Sequence, residues 1–245
     1  MLSIGSNHLN TYLQHKNYND MHFLDTLLSF IAPHACVACG TTGTVLCDNC
    51  LDLLPVPTSS CYRCRKATAN YATCPACRKV SALESVWICT DYETAAQKLV
   101  GMLKFERVYA SAAVIARAMQ LQFLGSLPTD VAVSHLPTAT SRVRQRGYDQ
   151  AQLIAKKLSA YTEKPYINTL ERHGQQRQTG SKRAQRLVQL EGAFQARRRA
   201  PGGELHIILI DDVMTTGASL ESAANVLKRA GVSQVSAIVF ARRAM

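Results

Sequence analysis

Apolar and polar positions along the chain alternate with two periods, one typical of buried strands and one typical of amphipathic helices. Residues 207–210 form an unbroken aliphatic run, as expected of a strand buried on both faces of a parallel sheet. Further apolar runs predict strands at residues 86–89, 131–137 and 235–240. Helical patterns lie between these runs, over residues 92–124, 150–158 and 220–231. This alternation predicts an α/β fold with a doubly wound, mostly parallel sheet.

Two polar stretches lie outside this pattern. Residues 1–22 are polar, and we expect them to be disordered or to form an extension. A short amphipathic helix is predicted over residues 23–31, and Pro33 ends it. Residues 171–189 are polar and basic, and they predict a mobile loop that passes into a short helix. This loop is either a solvated linker or a lid whose arginines close over a charged substrate.

Eight of the nine cysteines fall in four Cys-x-x-Cys pairs. Thiolates at this spacing suit a metal-binding knuckle, and such pairs rarely form structural disulfides. Two sequential sets would each complete a closed tetrahedral zinc site, namely Cys36, Cys39, Cys47 and Cys50, then Cys61, Cys64, Cys74 and Cys77. Interleaved pairing, a single occupied site and redox-active dithiols are the alternatives. We expect a small zinc domain over residues 23–80 in a reducing, cytoplasmic environment.

The positive charge is concentrated in one part of the chain. The formal net charge is +11, and residues 142–199 hold fourteen Lys and Arg against four Asp and Glu, a net charge of +10. A concentrated excess implies a polyanionic partner. Aromatic residues for stacking on unpaired bases lie in or beside this stretch, although core packing is the alternative for some of them: Tyr148, Tyr161, Tyr166 and Phe194. No apolar run reaches the roughly 20 residues of a membrane helix.

The strand predicted at residues 207–210 leads into the most informative stretch of the sequence. Asp211 and Asp212 follow it directly, where we expect the strand to leave the sheet, and a helix begins near Leu220. Between them lie Thr215, Thr216, Gly217, Ala218 and Ser219. A helix N-terminus with hydroxyl donors binds phosphate, whereas carboxylates accept from ribose hydroxyls or bind magnesium. This arrangement predicts a site for a phosphorylated sugar; an ordinary turn with Ser219 as N-cap is the alternative.

A second loop and a basic turn are candidates to complete this pocket. In a doubly wound sheet, ligands bind outside the carboxyl ends of strands, so the loop that carries Thr138 is expected to face the same pocket. Arg142, Arg144 and Arg146 stand at alternate positions before the next predicted helix. They predict a pyrophosphate clamp or a nucleic-acid contact, and a solvated basic turn is the alternative.

The stretch IILIDDVMTTGAS resembles the phosphoribosyl-pyrophosphate (PRPP) signature of type I phosphoribosyltransferases. Four Cys-x-x-Cys pairs, then LVGMLKFER, RQRGYDQAQLIA, GAF and this stretch, resemble in their order the ComF family of competence proteins, over residues 23–243. The resemblance implies an N-terminal double zinc ribbon and a Rossmann-like type I phosphoribosyltransferase domain over residues 85–245. It also implies a role in natural transformation, with single-stranded DNA and the DNA-uptake machinery at the inner membrane as partners.

The same resemblance implies site residues, position by position. Asp211 and Asp212 are the candidate catalytic pair, expected to meet the ribose hydroxyls of PRPP in the presence of magnesium. The 5′-phosphate is expected on Thr215, Thr216, Gly217, Ala218 and Ser219. The pyrophosphate is expected near Leu136, Pro137, Thr138, Arg142 and Arg146. Gln178 and Arg186 match residues of the family's loop. Asp149 and Gln189 stand where the family usually has Asn, and Ser134-His135-Leu136-Pro137 replaces its Val-Pro-Val-Pro.

Two functional hypotheses follow. In the first, the protein binds PRPP and handles incoming single-stranded DNA, with DNA contacts from Arg144, Arg146, Arg177, Lys182, Arg183 and Arg186. In the second, it is an active phosphoribosyltransferase of nucleotide or related metabolism. The sequence shows no nucleobase pocket, so the second hypothesis leaves the acceptor open.

Overall fold

A four-stranded parallel sheet forms the centre of the fold. The computed structural model of the chain describes residues 34–173, 192–197 and 205–243. The strand order is β1–β6–β5–β2, and all neighbouring pairs are parallel. Consecutive residues are buried along most of each strand, so both faces of the sheet are covered. The α/β class with a mostly parallel sheet is confirmed. The strands of this sheet are β1 (Val86–Asp91), β2 (Val131–His135), β5 (His206–Met214) and β6 (Gln234–Arg242).

Helices connect these strands. Those in the described part of the chain are α1 (Asp48–Asp52), α2 (Pro75–Arg78), α3 (Thr94–Gly101), α4 (Ala110–Phe123), α5 (Thr140–Arg146), α6 (Gln150–Thr162) and α7 (Ala218–Arg229). A π-helical turn, Met102–Glu106, follows α3 and ends at Arg107, which adopts the left-handed conformation with φ +59°. The helical pattern predicted over residues 92–124 therefore corresponds to α3, this π-turn and α4. Of the helices assigned here, none combines the length and apolarity that crossing a membrane requires.

Strand β5 is longer than the sequence indicated. We expected the strand to leave the sheet at the two aspartates, but it continues through both of them to Met214. The reason is its neighbour β6, which runs alongside as far as Arg242 and pairs with Asp211, Val213 and Met214. The sheet partner, rather than the local sequence, thus determines where β5 ends.

Two short elements also differ from the prediction. Arg142, Arg144 and Arg146 precede α6 as predicted, but they lie in a separate short helix, α5, rather than in a turn; α5 ends at Gly147, where φ is +89°. The beginning of the predicted mobile loop is a strand, since β3 (Leu170–Arg172) pairs antiparallel with β4 (Phe194–Ala196). Strands of three residues contain too few alternating apolar and polar positions to be predicted from the sequence.

The cysteine-rich segment folds as two similar units that pack on the sheet. In the first unit a β-bridge joins Ala35 to Thr42, and α1 begins directly after Cys47, the first cysteine of that unit's second pair. In the second unit a bridge joins Ser60 to Ala67, and α2 has the equivalent position. Side chains of both units belong to the same apolar core as the sheet.

Several predictions concern parts of the chain outside the described residues. These are the extension at residues 1–22, the helix at 23–31 and most of the basic loop, residues 174–191. The boundary between the predicted domains falls at residues 80–85, immediately before β1, where the Glu84 N–H donates to Val235 O at 2.8 Å. The division into two domains stays a prediction.

Candidate functional site at the carboxyl end of β5

Asp211 faces a small cavity at the carboxyl end of β5. The cavity has a volume of about 60 Å³ and is lined by Asp211 and residues 213–220, which include the predicted phosphate loop. Helix α7 begins at Ala218, after Gly217 has turned the chain with a φ of +76°. The first turn of a helix presents unpaired N–H groups. The cavity therefore suits a small anion such as a phosphate and is too small for a whole nucleotide.

Asp212 points away from this cavity. Consecutive residues of a strand project from opposite faces, so the two aspartates cannot both face it. Asp212 is 3% exposed, and its Oδ1 accepts a hydrogen bond of 2.9 Å from Lys104 Nζ. Its Oδ2 is buried with no hydrogen-bond partner within the described ranges. The two predicted catalytic residues thus have different surroundings, and Asp211 is the one beside the predicted phosphate loop.

The two carboxylates and Lys104 interact electrostatically. Burial, and then the charge of Asp212, raise the pKa of Asp211 well above its usual range, while Lys104 and the Asp212 N–H lower it. That N–H donates to Asp211 Oδ1 at 2.9 Å. A raised carboxyl pKa means that the negative charge is unfavourable where it stands. Ribose hydroxyl donors or a cation at Asp211 would offset this cost.

Asp149 holds the loop that follows β2. It accepts hydrogen bonds from the Thr138 N–H at 2.7 Å and from Thr138 Oγ1 at 3.0 Å. The same carboxylate caps α6 by accepting from two N–H groups of its first turn. The Leu136 N–H donates to Ile210 O at 2.9 Å, which ties the loop to β5. Donors predicted to lie near the pyrophosphate are therefore already bound to a carboxylate.

Arg172, which was not among the predicted site residues, connects the two loops. It ends β3, and its Nη1 donates to Pro137 O at 3.4 Å. Burial and the charge of Arg142 lower the pKa of Arg172, whereas Asp211 and Asp149 raise it. The charges of these four residues therefore act on one another, and Arg172 and Arg142 are the positive ones among them.

The second cysteine unit contacts the phosphate loop. Its Tyr62 ring packs on Gly217, where a Cβ atom would lie 2.9 Å from two ring carbons. Glu221, in the first turn of α7, accepts hydrogen bonds from the Tyr62 hydroxyl, from Ser81 Oγ at 2.9 Å and from the Ala82 N–H at 2.7 Å. The cysteine unit therefore helps to fix the position of the loop.

Each sequential set of four cysteines forms a cluster. Within each set the four sulfur atoms all lie within 4.8 Å of one another. The sulfurs of Cys39 and Cys47 are 3.7 Å apart, and those of Cys64 and Cys74 are 3.5 Å apart. A tetrahedral zinc site with Zn–S distances of about 2.3 Å has sulfur–sulfur edges of about 3.8 Å. The donors therefore fit zinc, and they group sequentially rather than interleaved.

One thiol in each cluster ionises easily. Burial raises the pKa of Cys36, but backbone N–H groups directed at its sulfur outweigh this effect and lower the pKa to about 6. The same balance lowers the pKa of Cys61 to about 6. The thiolate is the form that binds a metal, so each cluster contains a sulfur that is readily available to one.

A larger groove adjoins the small cavity. It has a volume of about 750 Å³ and lies between the second cysteine unit and the sheet, where its lining includes Ser60, Arg65, Asp91 and Arg242. Arg242 Nη2 lies 3.6 Å from Asp91 Oδ1, and Nη1 is buried with no hydrogen-bond partner in the described part of the chain. Arg242 is the register partner of Met214, which lines the small cavity. The two openings are therefore adjacent.

The predicted DNA-binding residues are only partly described. Arg144 is exposed on α5, and Arg146 Nη1 donates to Gln150 Oε1 at 2.8 Å. The others fall outside the described residues, as do the two loop glutamines: Arg177, Gln178, Lys182, Arg183, Arg186 and Gln189.

The predicted stacking residues are mostly unavailable. Tyr148 and Phe194 are buried, Tyr166 is half-buried, and Tyr161 is 37% exposed. The aromatic side chain that is exposed beside the basic helix is Phe105, at 77%. One feature of the sequence indicates the exposure of Phe105: it does not keep the helical spacing of Leu99 and Leu103.

Comparison with known proteins identifies relatives over most of the chain. It is 26% identical to Competence protein F of Haemophilus influenzae over 192 residues, which cover 74% of this chain and 84% of that protein. It is 26% identical to DNA utilization protein YhgH of Escherichia coli over 200 residues, 78% of this chain and 87% of that protein. These relatives support a ComF-family assignment of the chain. A 96-residue alignment with Competence protein ComFC of Bacillus subtilis, at 35% identity, covers 39% of this chain and 38% of that protein.

Other comparisons add less. No family model matches the chain. Matches among solved structures include glutamine PRPP amidotransferase from Bacillus subtilis, with a TM-score of 0.38 and 14% identity over 58% of this chain and 30% of that chain. They also include orotate phosphoribosyltransferase from Aeropyrum pernix, with a TM-score of 0.33 and 22% identity over 58% of this chain and 62% of that chain. At these scores the α/β assignment of the chain rests on its own parallel sheet.

Proposed function

We propose that the protein binds PRPP at the carboxyl end of β5 and handles incoming single-stranded DNA during natural transformation. The observation that carries the proposal is the cavity shared by Asp211 and the first turn of α7. Phosphate is favoured at a helix N-terminus, and a carboxylate beside it accepts from sugar hydroxyls. In this role the protein would work in the cytoplasm, at the DNA-uptake machinery of the inner membrane.

The charges around the cavity support a ligand with phosphates at both ends of a sugar. Asp211 would accept from the ribose hydroxyls, and the loop at Thr215–Ser219 would hold the 5′-phosphate. Arg172 and Arg142 would supply positive charge for the pyrophosphate, since the pKa of Arg172 responds to the charges of both Arg142 and Asp211. Magnesium bound with PRPP would neutralise part of the phosphate charge, and Asp211 is the carboxylate placed to approach it.

The position of Asp149 favours retention of PRPP over rapid transfer of its phosphoribosyl group. Its carboxylate engages both the N–H and the hydroxyl of Thr138 and places a negative charge at the loop that would meet the pyrophosphate. Transfer requires donors aimed at the departing group. A retained ligand that orders the protein is therefore the more direct use of this site.

The DNA-handling part of the proposal rests on charge and on the relatives. Residues 142–199 carry a net charge of +10. In the described part of that segment, Arg142 and Arg144 are exposed on α5. Basic side chains that track a backbone bind single strands with a strong dependence on salt.

Separate variants test the two parts. Asp211→Ala combined with Asp212→Ala should abolish PRPP binding, measured by calorimetry, and leave the affinity for a labelled oligonucleotide nearly unchanged. Replacing Arg144, Arg183 and Arg186 by Ala should weaken oligonucleotide binding and flatten its salt dependence, with PRPP binding retained. If a double-aspartate variant that still folds lost both ligands, the two would share one site and the separation proposed here would be wrong.

A second candidate function is phosphoribosyl transfer to an acceptor held in the adjoining groove. The observation that favours it is the groove volume of about 750 Å³, within the range of small-molecule pockets. Release of pyrophosphate from PRPP on addition of an acceptor, lost in Arg242→Ala, would support transfer. PRPP that stays intact with every acceptor tested would favour binding alone.

A further inference from the structure

Phe105 is an exposed aromatic side chain on a rigid part of the backbone. Its side chain is 77% exposed. Leu103, two residues earlier in the same turn, is fully buried, and its carbonyl accepts a hydrogen bond from the Tyr148 hydroxyl. The Lys104 Nζ donates to Asp212 Oδ1 at 2.9 Å. The segment is therefore anchored on both sides of its backbone, and the exposed Phe105 ring is left available to a ligand.

The backbone around Phe105 has an unusual conformation. The π-helical turn Met102–Glu106 interrupts the helical pattern and ends at Arg107 in the left-handed region, with φ +59°. Such π-turns occur frequently at functional sites, because they direct a side chain where a regular helix would not. Here the turn buries Leu103 and leaves the next aromatic side chain outside.

Positive charge surrounds the ring. The guanidinium carbon of Arg146 lies 5.6 Å from the Phe105 ring centroid, which is a cation–π contact. Burial chiefly raises the pKa of Tyr148, to about 12, against the opposing positive charges of Arg146 and Arg107. Glu106 is the one acidic neighbour in the turn itself, and it is exposed. Arg142 and Arg144 extend the basic surface along α5.

We propose that Phe105, with Arg146 beside it, is a stacking platform for an unpaired base of single-stranded nucleic acid. The inference rests on the DNA-handling function proposed above and assigns it a specific contact. An exposed aromatic ring flanked by arginines is the combination that single-strand binding uses, since the ring takes the base and the arginines take the phosphates. Lys104 links this turn to Asp212, the neighbour of Asp211 on β5.

Abasic oligonucleotides separate stacking from charge. Phe105→Ala should weaken binding of an oligothymidylate by roughly 5- to 150-fold. It should leave binding of an abasic oligomer of the same length and charge unchanged. The slope of log affinity against log salt should not change, whereas Arg144→Ala should reduce it by about 0.7 per lost phosphate contact. Tyr161→Ala, at 37% exposure on α6, is the matched aromatic control and should have no effect.

Phe105→Trp provides a direct readout and a test of folding. Trp87, the single native tryptophan, is 4% exposed in β1, so a second tryptophan at 105 would dominate any ligand-dependent fluorescence change. The variant should keep its affinity and be quenched by oligothymidylate but not by the abasic oligomer. Because the ring is exposed, Phe105→Ala should unfold at the wild-type temperature.

Three results would overturn the proposal. One is a Phe105→Ala affinity for oligothymidylate within twofold of wild type. Another is an equal loss on both oligomers, which would make the ring a structural element. The third is a wild-type protein that binds neither oligomer; this would refute the DNA-handling function itself and is recognisable before any variant is measured.

Discussion

Replacing Lys104 by Met should destabilise the protein strongly, because it leaves a buried charge without its partner. The side chains of Lys104 and Asp212 are 18% and 5% exposed. Asp212 Oδ2 already has no partner among the described residues, so loss of Lys104 would remove the remaining side-chain contact of that carboxylate. Breaking a buried ion pair from one side costs about 3–5 kcal/mol. Methionine keeps most of the apolar stem, so lost packing contributes little.

Lys98→Met is the matched control. Lys98 is exposed on α3, and its Nζ donates to Val37 O at 3.0 Å, a surface hydrogen bond worth about 1 kcal/mol or less. For a chain of this size, 1 kcal/mol corresponds to roughly 2–4 °C in the melting temperature. Lys104→Met should therefore melt at least roughly 6 °C below wild type, and Lys98→Met should melt close to the wild-type temperature. Thermal or urea unfolding measures both.

A double-mutant cycle isolates the interaction between Lys104 and Asp212. Adding Asp212→Asn to Lys104→Met removes the uncompensated charge and should recover about 1–3 kcal/mol of the loss. If Lys104→Met cost no more than Lys98→Met, or if Asp212→Asn gave no recovery, the ion pair would not determine the stability of this site. The different surroundings assigned to the two aspartates would then be wrong.

Three further variants test individual contacts. Asp211→Asn should be more stable than wild type at neutral pH, and the difference should shrink as pH falls toward about 4. The reason is that a carboxyl with a raised pKa in the folded state makes the wild-type protein less stable as pH rises, and melting temperatures from pH 4 to 8 measure this. Gly217→Ala should cost roughly 1–3 kcal/mol more than Gly231→Ala in urea unfolding, since both positions have positive φ but only the first meets an obstacle, the Tyr62 ring; equal costs would remove the Tyr62 contact from the explanation. Cys64→Ser should weaken PRPP binding more than Cys39→Ser, because Tyr62 of the second cysteine unit packs on Gly217 of the predicted phosphate loop, whereas zinc content should fall alike in both variants.

Much of this architecture could be predicted from the sequence because it is encoded locally. The aliphatic run at residues 207–210 predicts a buried strand by itself, and the spacing of the cysteines makes two sequential sets the simplest grouping, although interleaved pairing stays open until the structure is known. The phosphate loop is similarly continuous, so a single stretch of sequence contains strand, turn and helix start. These features need no knowledge of what packs against them.

Features that depend on distant partners could not be predicted in this way. The end of β5 is determined by β6, and its extension sends Asp212 to the opposite face from Asp211. Arg172 reaches the site from a strand of three residues, which is too short for a period to be detected. In the sequence, Asp149 is noticeable only because it stands where the family usually has Asn. Its hydrogen bonds from Thr138 become apparent only in the folded structure.

A calorimetric titration of PRPP into the wild-type protein, repeated in the presence of saturating single-stranded DNA, tests the central claim most directly. We expect PRPP to bind in both titrations, with binding abolished by Asp211→Ala combined with Asp212→Ala. Any change in PRPP affinity caused by DNA must appear reciprocally as a change in DNA affinity caused by PRPP. Absence of PRPP binding to folded, zinc-loaded protein, with and without DNA, would contradict the assignment of a sugar-phosphate site at the carboxyl end of β5.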